Sequence, residues 1–228
     1  MSVPGRKRRV VLAGALAILC VAPPGWGVVI GFSGITLNNP AHVAAGEQQL
    51  WMEVRLPQEA QVEFTFHNTG DVSSVITEVC FEQGPLETMI SVNSSSDALF
   101  LQDNRPKNLP GGNGLVPAFD AAFSMGADNP AQSNGVINDP LPPGGWVSAL
   151  FRLQGGATYQ TVLQQLEGGQ LRVGVRVQGF AAGGNESFVN MMGSPAHQPE
   201  PATLAFGLAG VCVALLSRLI RTARPQLR

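Results

Sequence analysis

Apolar side chains recur at every second position through most of the middle of this chain, and that period suits a half-buried β-strand and not an amphipathic helix. Val62, Phe64 and Phe66 share one face and Glu63 and Thr65 the other; Leu171, Val173, Val175 and Val177 repeat the arrangement against Arg172, Gly174 and Arg176. Partial alternation also runs through 28–37, 49–56, 74–81, 98–101 and 146–153, so about seven strands with one wet and one buried face are expected. Asn68-Thr69-Gly70-Asp71, between two such runs, reads as a hairpin turn or as a corner between sheets. Only 158–167 breaks the pattern: Val162, Leu163 and Leu166 fall at helical spacing before the stop Gly168-Gly169, which predicts a short helix plugging one end of the fold. The expectation is a mostly β body, a single antiparallel β-sandwich.

Both ends of the chain differ from this body. Arg6-Lys7-Arg8-Arg9 precedes an apolar run from Val10 to Ala22 that is short for a membrane span, followed by Pro23-Pro24 and the small-residue pair of Gly25-Trp26-Gly27. This predicts a secretory signal peptide over 1–27, with the mature chain starting near Val28. Neither a twin-arginine signal at Arg8-Arg9 nor a lipoprotein signal at Cys20 is favoured by the residues around it. Cys20 and Cys212 lie in the two terminal segments, leaving Cys80 alone in the body, a candidate small buried hydrophobe that has no internal disulfide partner. Between Val28 and Gln198 six basic side chains stand against fifteen acids, a balance of −9 hidden by a whole-chain charge of −2. Such a surface repels phosphate backbones, which argues against nucleic acid as a partner.

At the C-terminus, Pro199-Glu200-Pro201 is a rigid, helix-incompatible tripeptide. After it, the nineteen residues from Ala202 to Ile220 carry one charge, Arg218, and as a helix would span roughly 28 Å. Arg218, Arg221 and Arg224 form a basic anchor that the positive-inside rule keeps in the cytoplasm. The basic n-region begins on the same side, so both ends place the body outside. In order and spacing, Pro199-Glu200-Pro201-Ala202-Thr203-Leu204, the Gly207-Leu208-Ala209-Gly210 stretch and the arginines resemble the PEP-CTERM sorting signal. The resemblance implies recognition of Pro199, Glu200 and Pro201 by an exosortase, a membrane-embedded cysteine peptidase that releases or transfers the body outward. It also implies association with exopolysaccharide or other matrix proteins. The organisation it implies is signal peptide 1–27, ectodomain 28–192, linker 193–198 and sorting signal 199–228. Leu141-Pro142-Pro143-Gly144-Gly145 leading into the strand at Trp146, with Phe64 to Gly70, is similar to bacterial immunoglobulin-like sandwiches and implies an immunoglobulin- or jelly-roll-like ectodomain.

Catalytic signatures are missing from the sequence. There is no His-Glu-x-x-His, Cys-x-x-Cys, Gly-x-Ser-x-Gly or Gly-x-Gly-x-x-Gly, so the usual carriers of zinc, esterase and dinucleotide chemistry are lacking. A His67–Cys80 base and nucleophile pair would need the fold to join two ordinary strand positions. Residues 93–139 have low periodicity and read as a long loop rich in oxygen ligands, with Asp97, Asp103, Asp120, Asp128 and Asp139 as candidate ligands for Ca2+. Trp51, Phe119, Phe123 and Trp146 are candidate sugar-stacking aromatics, with burial in the core as the competing reading. The expected function is that of an exported, non-enzymatic envelope or matrix protein acting by binding or structure. Two alternatives stay open: a membrane-tethered glycoside hydrolase using carboxylates such as Glu63, Glu78 or Asp120, and an uncut tail-anchored calcium- or sugar-binding module.

Overall fold

A computed structural model describes residues 27–95, 98–128, 136–137, 145–180 and 183–190. The expected signal peptide apart from Gly27, the expected linker, Pro199, Glu200, Pro201, the apolar segment and Arg218, Arg221 and Arg224 lie outside the described residues.

The described chain runs β1 (Val28–Gly34), α1 (Pro40–Gln49), β2 (Leu50–Arg55), β3 (Gln61–Asn68), β4 (Val75–Phe81), β5 (Leu86–Ser94), β6 (Phe100–Gln102) and β7 (Phe123–Ala127). It continues through β8 (Val136–Ile137), β9 (Trp146–Leu153), α2 (Tyr159–Glu167), β10 (Val173–Gln178) and β11 (Asn185–Asn190). Ten strands follow one hydrogen-bonded path, β5-β9-β3-β2-β1-β11-β10-β4-β7-β6, and β8 pairs beside it on β4. All pairings are antiparallel. The terminal strands of the path, β5 and β6, approach each other, so the sheet is nearly closed into a barrel.

The body is therefore mostly β and antiparallel, as the alternation requires, with its pairing continuous and not divided between two separate sheets. The continuity rests on β1. Its first residues pair with β2, Val28 opposite Val54 and Gly31 opposite Trp51; its last pair with β11, Phe32 opposite Asn190 and Gly34 opposite Phe188. β1 thus joins a β2-β3-β9-β5 half to a β11-β10-β4-β7-β6 half.

The inner faces of the two halves meet across an aromatic core. Phe81 of β4 packs edge-on against Phe64 and Phe66 of β3, at centroid distances of 5.4 and 5.8 Å, and against Phe151 of β9 at 4.8 Å. Edge-to-face pairs of this kind add to what burial alone contributes. The Asn68 to Asp71 turn proves to be a corner: β3 pairs with β2 and β9, whereas β4 pairs with β10, β7 and β8. The buried amide of Gln49 pins this corner, donating to Asn68 Oδ1 at 2.9 Å and to the Val72 carbonyl at 3.0 Å.

The predicted helix forms as α2, with Val162 and Leu166 buried in the main core and a Thr158–Thr161 capping box. A second helix, α1, was not expected. Asn39 caps it by accepting from Ala41 N at 2.9 Å and Pro40 opens its first turn. The expected long loop over 93–139 is also corrected, because β6, β7 and β8 lie within it and β7 pairs with both β4 and β6.

Candidate functional site

The clearest constellation of binding side chains stands on the outer face of the β2-β3-β9 half. Along β3, Val62, Phe64 and Phe66 are buried, which turns Glu63, Thr65 and His67 outward. Trp51 lies opposite His67 on β2, and Trp146 lies opposite His67 on β9. Trp51, His67 and Trp146 therefore occupy one row across three adjacent strands, which spans two strand spacings or roughly 9.5 Å. All three are half-buried, in contrast to the fully buried residues of the inner face.

The rings of Trp51 and His67 stack at 3.8 Å between centroids with 11° between planes. Rings stacked parallel across neighbouring strands stand on edge, so Trp51 and His67 form a low ridge that Trp146 adjoins in register. Trp51 is held in this pose by its indole N–H, which donates to Thr69 Oγ1 at 2.9 Å. Burial against the indole, and then the positive charge of Arg55, lower the His67 pKa to about 4. The imidazole is neutral near pH 7, and its Nδ1 is buried with no hydrogen-bond partner. Polar groups flank the ridge. Ser148 donates to Glu63 Oε1 at 2.9 Å, and Asn93 faces Ser148 from β5 with its side chain exposed. The Ser148 hydroxyl is buried and serves to hold Glu63, so neutral aromatic rings stand beside a positioned carboxylate and an exposed amide, a combination that suits a neutral, hydroxyl-rich ligand.

The other aromatics considered from sequence belong elsewhere. Phe119 is buried in a small cluster with Cys80, Leu109 and Val189, and Phe123 packs on Phe151 at 5.3 Å. His67 and Cys80 are not brought together: His67 is on the outer face of β3 and Cys80 on that of β4, with the Phe64–Phe81 contact between those strands' inner faces. The Cys80 thiol is fully buried, and burial with the neighbouring Glu78 pushes its pKa up, the reverse of what a nucleophile needs.

The carboxylates considered for hydrolysis are likewise apart. Glu63 and Glu78 face outward from opposite halves of the sheet. Asp120 adjoins Glu82, its backbone N–H donating to Glu82 Oε1 at 3.2 Å. Glu78 is itself nearly buried, and burial raises its pKa.

Of the calcium candidates, Asp97 and Asp139 lie outside the described residues. Asp103 already holds Lys107 Nζ at 3.0 Å and the Ser124 hydroxyl at 2.7 Å, Asp120 is exposed in its loop, and Asp128 follows β7. Among the described residues no three His, Cys, Asp or Glu side chains stand close enough to share a metal ion, and no helix is long and apolar enough to cross a membrane. No family model, curated protein or solved structure matches the chain.

Proposed function

We propose that this chain is an exported, non-enzymatic protein of a bacterial cell envelope or extracellular matrix that binds neutral polysaccharide through the ridge formed by Trp51, His67 and Trp146. The observation that supports the binding is the register: three strands set two indoles and a neutral imidazole in one half-buried row on the outer face, bordered by Glu63 and Asn93. The remainder of the reading is supported by sequence. The basic, apolar N-terminus supports export, and the PEP-CTERM-like order of Pro199-Glu200-Pro201, apolar segment and arginines supports sorting by an exosortase-type peptidase. The aromatic core between the two facing halves supports describing the body as an immunoglobulin- or jelly-roll-like sandwich whose first strand serves both sheets.

The test of binding is affinity electrophoresis of the protein through gels containing the host's own exopolysaccharide. Retardation is expected, and Trp51→Ala with Trp146→Ala should remove it while the far-ultraviolet spectrum is kept. Equal retardation of the double variant would reject the ridge as the binding surface. Sorting is tested by the mass of the protein recovered from its host: a chain ending near Pro199-Glu200-Pro201 supports peptidase processing, whereas membranes still holding Arg228 would make it an uncut, tail-anchored module.

A further inference from the structure

On the other half of the molecule, residues 103–122 cross the outer face of β4. Leu109 and Phe119 pack down onto Cys80 and Val189, with Ile35 and Leu115 beside them. The loop is fastened at its tip. Arg172 is paired with Glu82, Nε to Oε2 at 2.7 Å, and from there donates to the carbonyls of Pro117 and Ala118 at 2.7 and 2.8 Å. Its guanidinium also lies 5.5 Å from the centre of the Phe119 ring. This ion pair is largely buried, at 13 % and 14 % side-chain exposure. A loop so firmly pinned nonetheless leaves Val116 97 % exposed. Leu37, two residues past Ile35, is 74 % exposed, and Ile35 and Thr36 abut the same loop at Gly111. From Asn108 to Phe119 the sequence contains no charge.

The same end of the molecule is where the described chain leaves the fold. Val189 and Asn190, the last residues of β11, line an open cavity of about 380 Å³ together with Ile35, Leu115 and Val116, with Arg172 and the exposed Glu167 on its far wall. Eleven residues separate Asn190 from Ala202, the start of the apolar C-terminal run. Eleven residues reach at most roughly 40 Å even when fully extended.

We infer that this face, with Val116 at its tip and Leu37 beside it, docks on the lipid surface of the membrane that holds the C-terminal segment before processing. The inference rests on the reading of residues 202–220 as a membrane anchor. One or two aliphatic side chains bind a bilayer too weakly to hold a free protein, but the short tether makes the contact intramolecular and raises its effective concentration. The absence of charge from Asn108 to Phe119 lets the loop tip enter the interface without the desolvation cost of an ion, while Glu167 at the cavity rim stays at the level of the headgroups. The consequence is orientation. The body sits with its β11 end down, which holds Pro199-Glu200-Pro201 close to the bilayer and leaves the Trp51 ridge, on the other half of the sheet, directed away from this loop.

The experiment uses the full chain in phosphatidylcholine vesicles, with Cys20→Ser and Cys212→Ser so that buried Cys80 is the sole remaining native thiol. A nitroxide is attached at Val116→Cys, at Leu37→Cys or, as a control on the distant half, at Asn93→Cys. Collisions with oxygen and with a water-soluble nickel chelate are then compared. The ratio of oxygen to nickel accessibility should be several-fold higher at 116 and 37 than at 93, and Val116→Asp should return the label at 37 to the control value. Val116 has no packing to lose, so that variant keeps its fold. If the chain floats with the vesicles but all three labels give the same ratio, docking is overturned while the anchor stands. If the chain does not float, the anchor reading fails and the docking with it.

Discussion

His67 is stacked on an indole where water reaches its ring poorly, so protonation is resisted until the pH falls to about 4. An unfolded histidine takes its proton near 6.5. Between these values the unfolded chain binds a proton that the folded chain does not. The stability associated with neutral His67 is therefore complete above pH 6.5 and is lost as the pH falls towards 4, by at most about 3 kcal/mol. Thermal midpoints of the wild type should drop relative to those of His67→Gln over that window, and the His67 ring should titrate near pH 4 by NMR. A ring titrating near 6.5 would contradict the stacked, desolvated geometry. Glu186 is a fully buried side chain kept in place by donors: Thr36 Oγ1 at 2.7 Å, Asn39 N at 2.8 Å and Asn38 N at 3.3 Å. Glu186→Gln puts an amide NH2 where only donors converge and should cost about 1–3 kcal/mol in urea unfolding. Trp51 and Trp146 were legible as candidate ligand-stacking residues. Their union with His67 was not, because it depends on the register of three strands that no local pattern specifies.

The elements legible in the sequence were those whose apolar residues recur at the element's period or dominate its length. β3 and α2 follow their expected ranges because their buried positions recur at that period, and β4 and β9 because they are largely apolar and buried on both faces. The omitted elements show neither pattern. β5 has two register irregularities against β9, which scramble its alternation. β11 buries Glu186, Ser187 and Asn190 along with Phe188 and Val189, so its polar residues read as loop until their hydrogen bonds are known. α1 has no apolar stripe and buries His42, Val43, Ala45, Gly46 and Gln49; its signal was the Asn39-Pro40 start, with the cap and the first-turn proline side by side. Gly46 shows why the stripe is weak there. A Cβ at this position would lie 2.1 Å from Cζ of Phe188, so the helix backbone rests directly on the ring. Gly→Ala within a helix ordinarily stabilises by up to about 1 kcal/mol. Here Gly46→Ala should instead destabilise by about 1–3 kcal/mol through overpacking, and Phe188→Leu in the same chain should recover part of the loss. At α2, Thr158→Ala removes the cap and should cost about 1 kcal/mol by the same unfolding assay.

For the whole molecule, alternation was sufficient to give an antiparallel β body and insufficient to divide or join its sheets. That question was decided by one strand changing partners midway, at Gly31 and Phe32, within a run whose sequence shows no break. A continuous ladder and a shared aromatic core should make the described body unfold as a unit. Both described tryptophans belong to the β2-β3-β9-β5 half, so their fluorescence reports that half while far-ultraviolet circular dichroism reports the whole sheet. Coincident denaturation midpoints are expected, and separated midpoints would mean that the halves unfold independently. The shared strand also sets a timetable. Of the described strands, β1 is the first to leave a ribosome or a translocation pore, and its partner β11 is the last. The earliest segment of the body must wait for the latest before the ladder can be completed, a contact of very long sequence separation and hence slow to form. A chain passing through a pore N-terminus first would remain incompletely zipped, and so still threadable, until its final strand had cleared the channel.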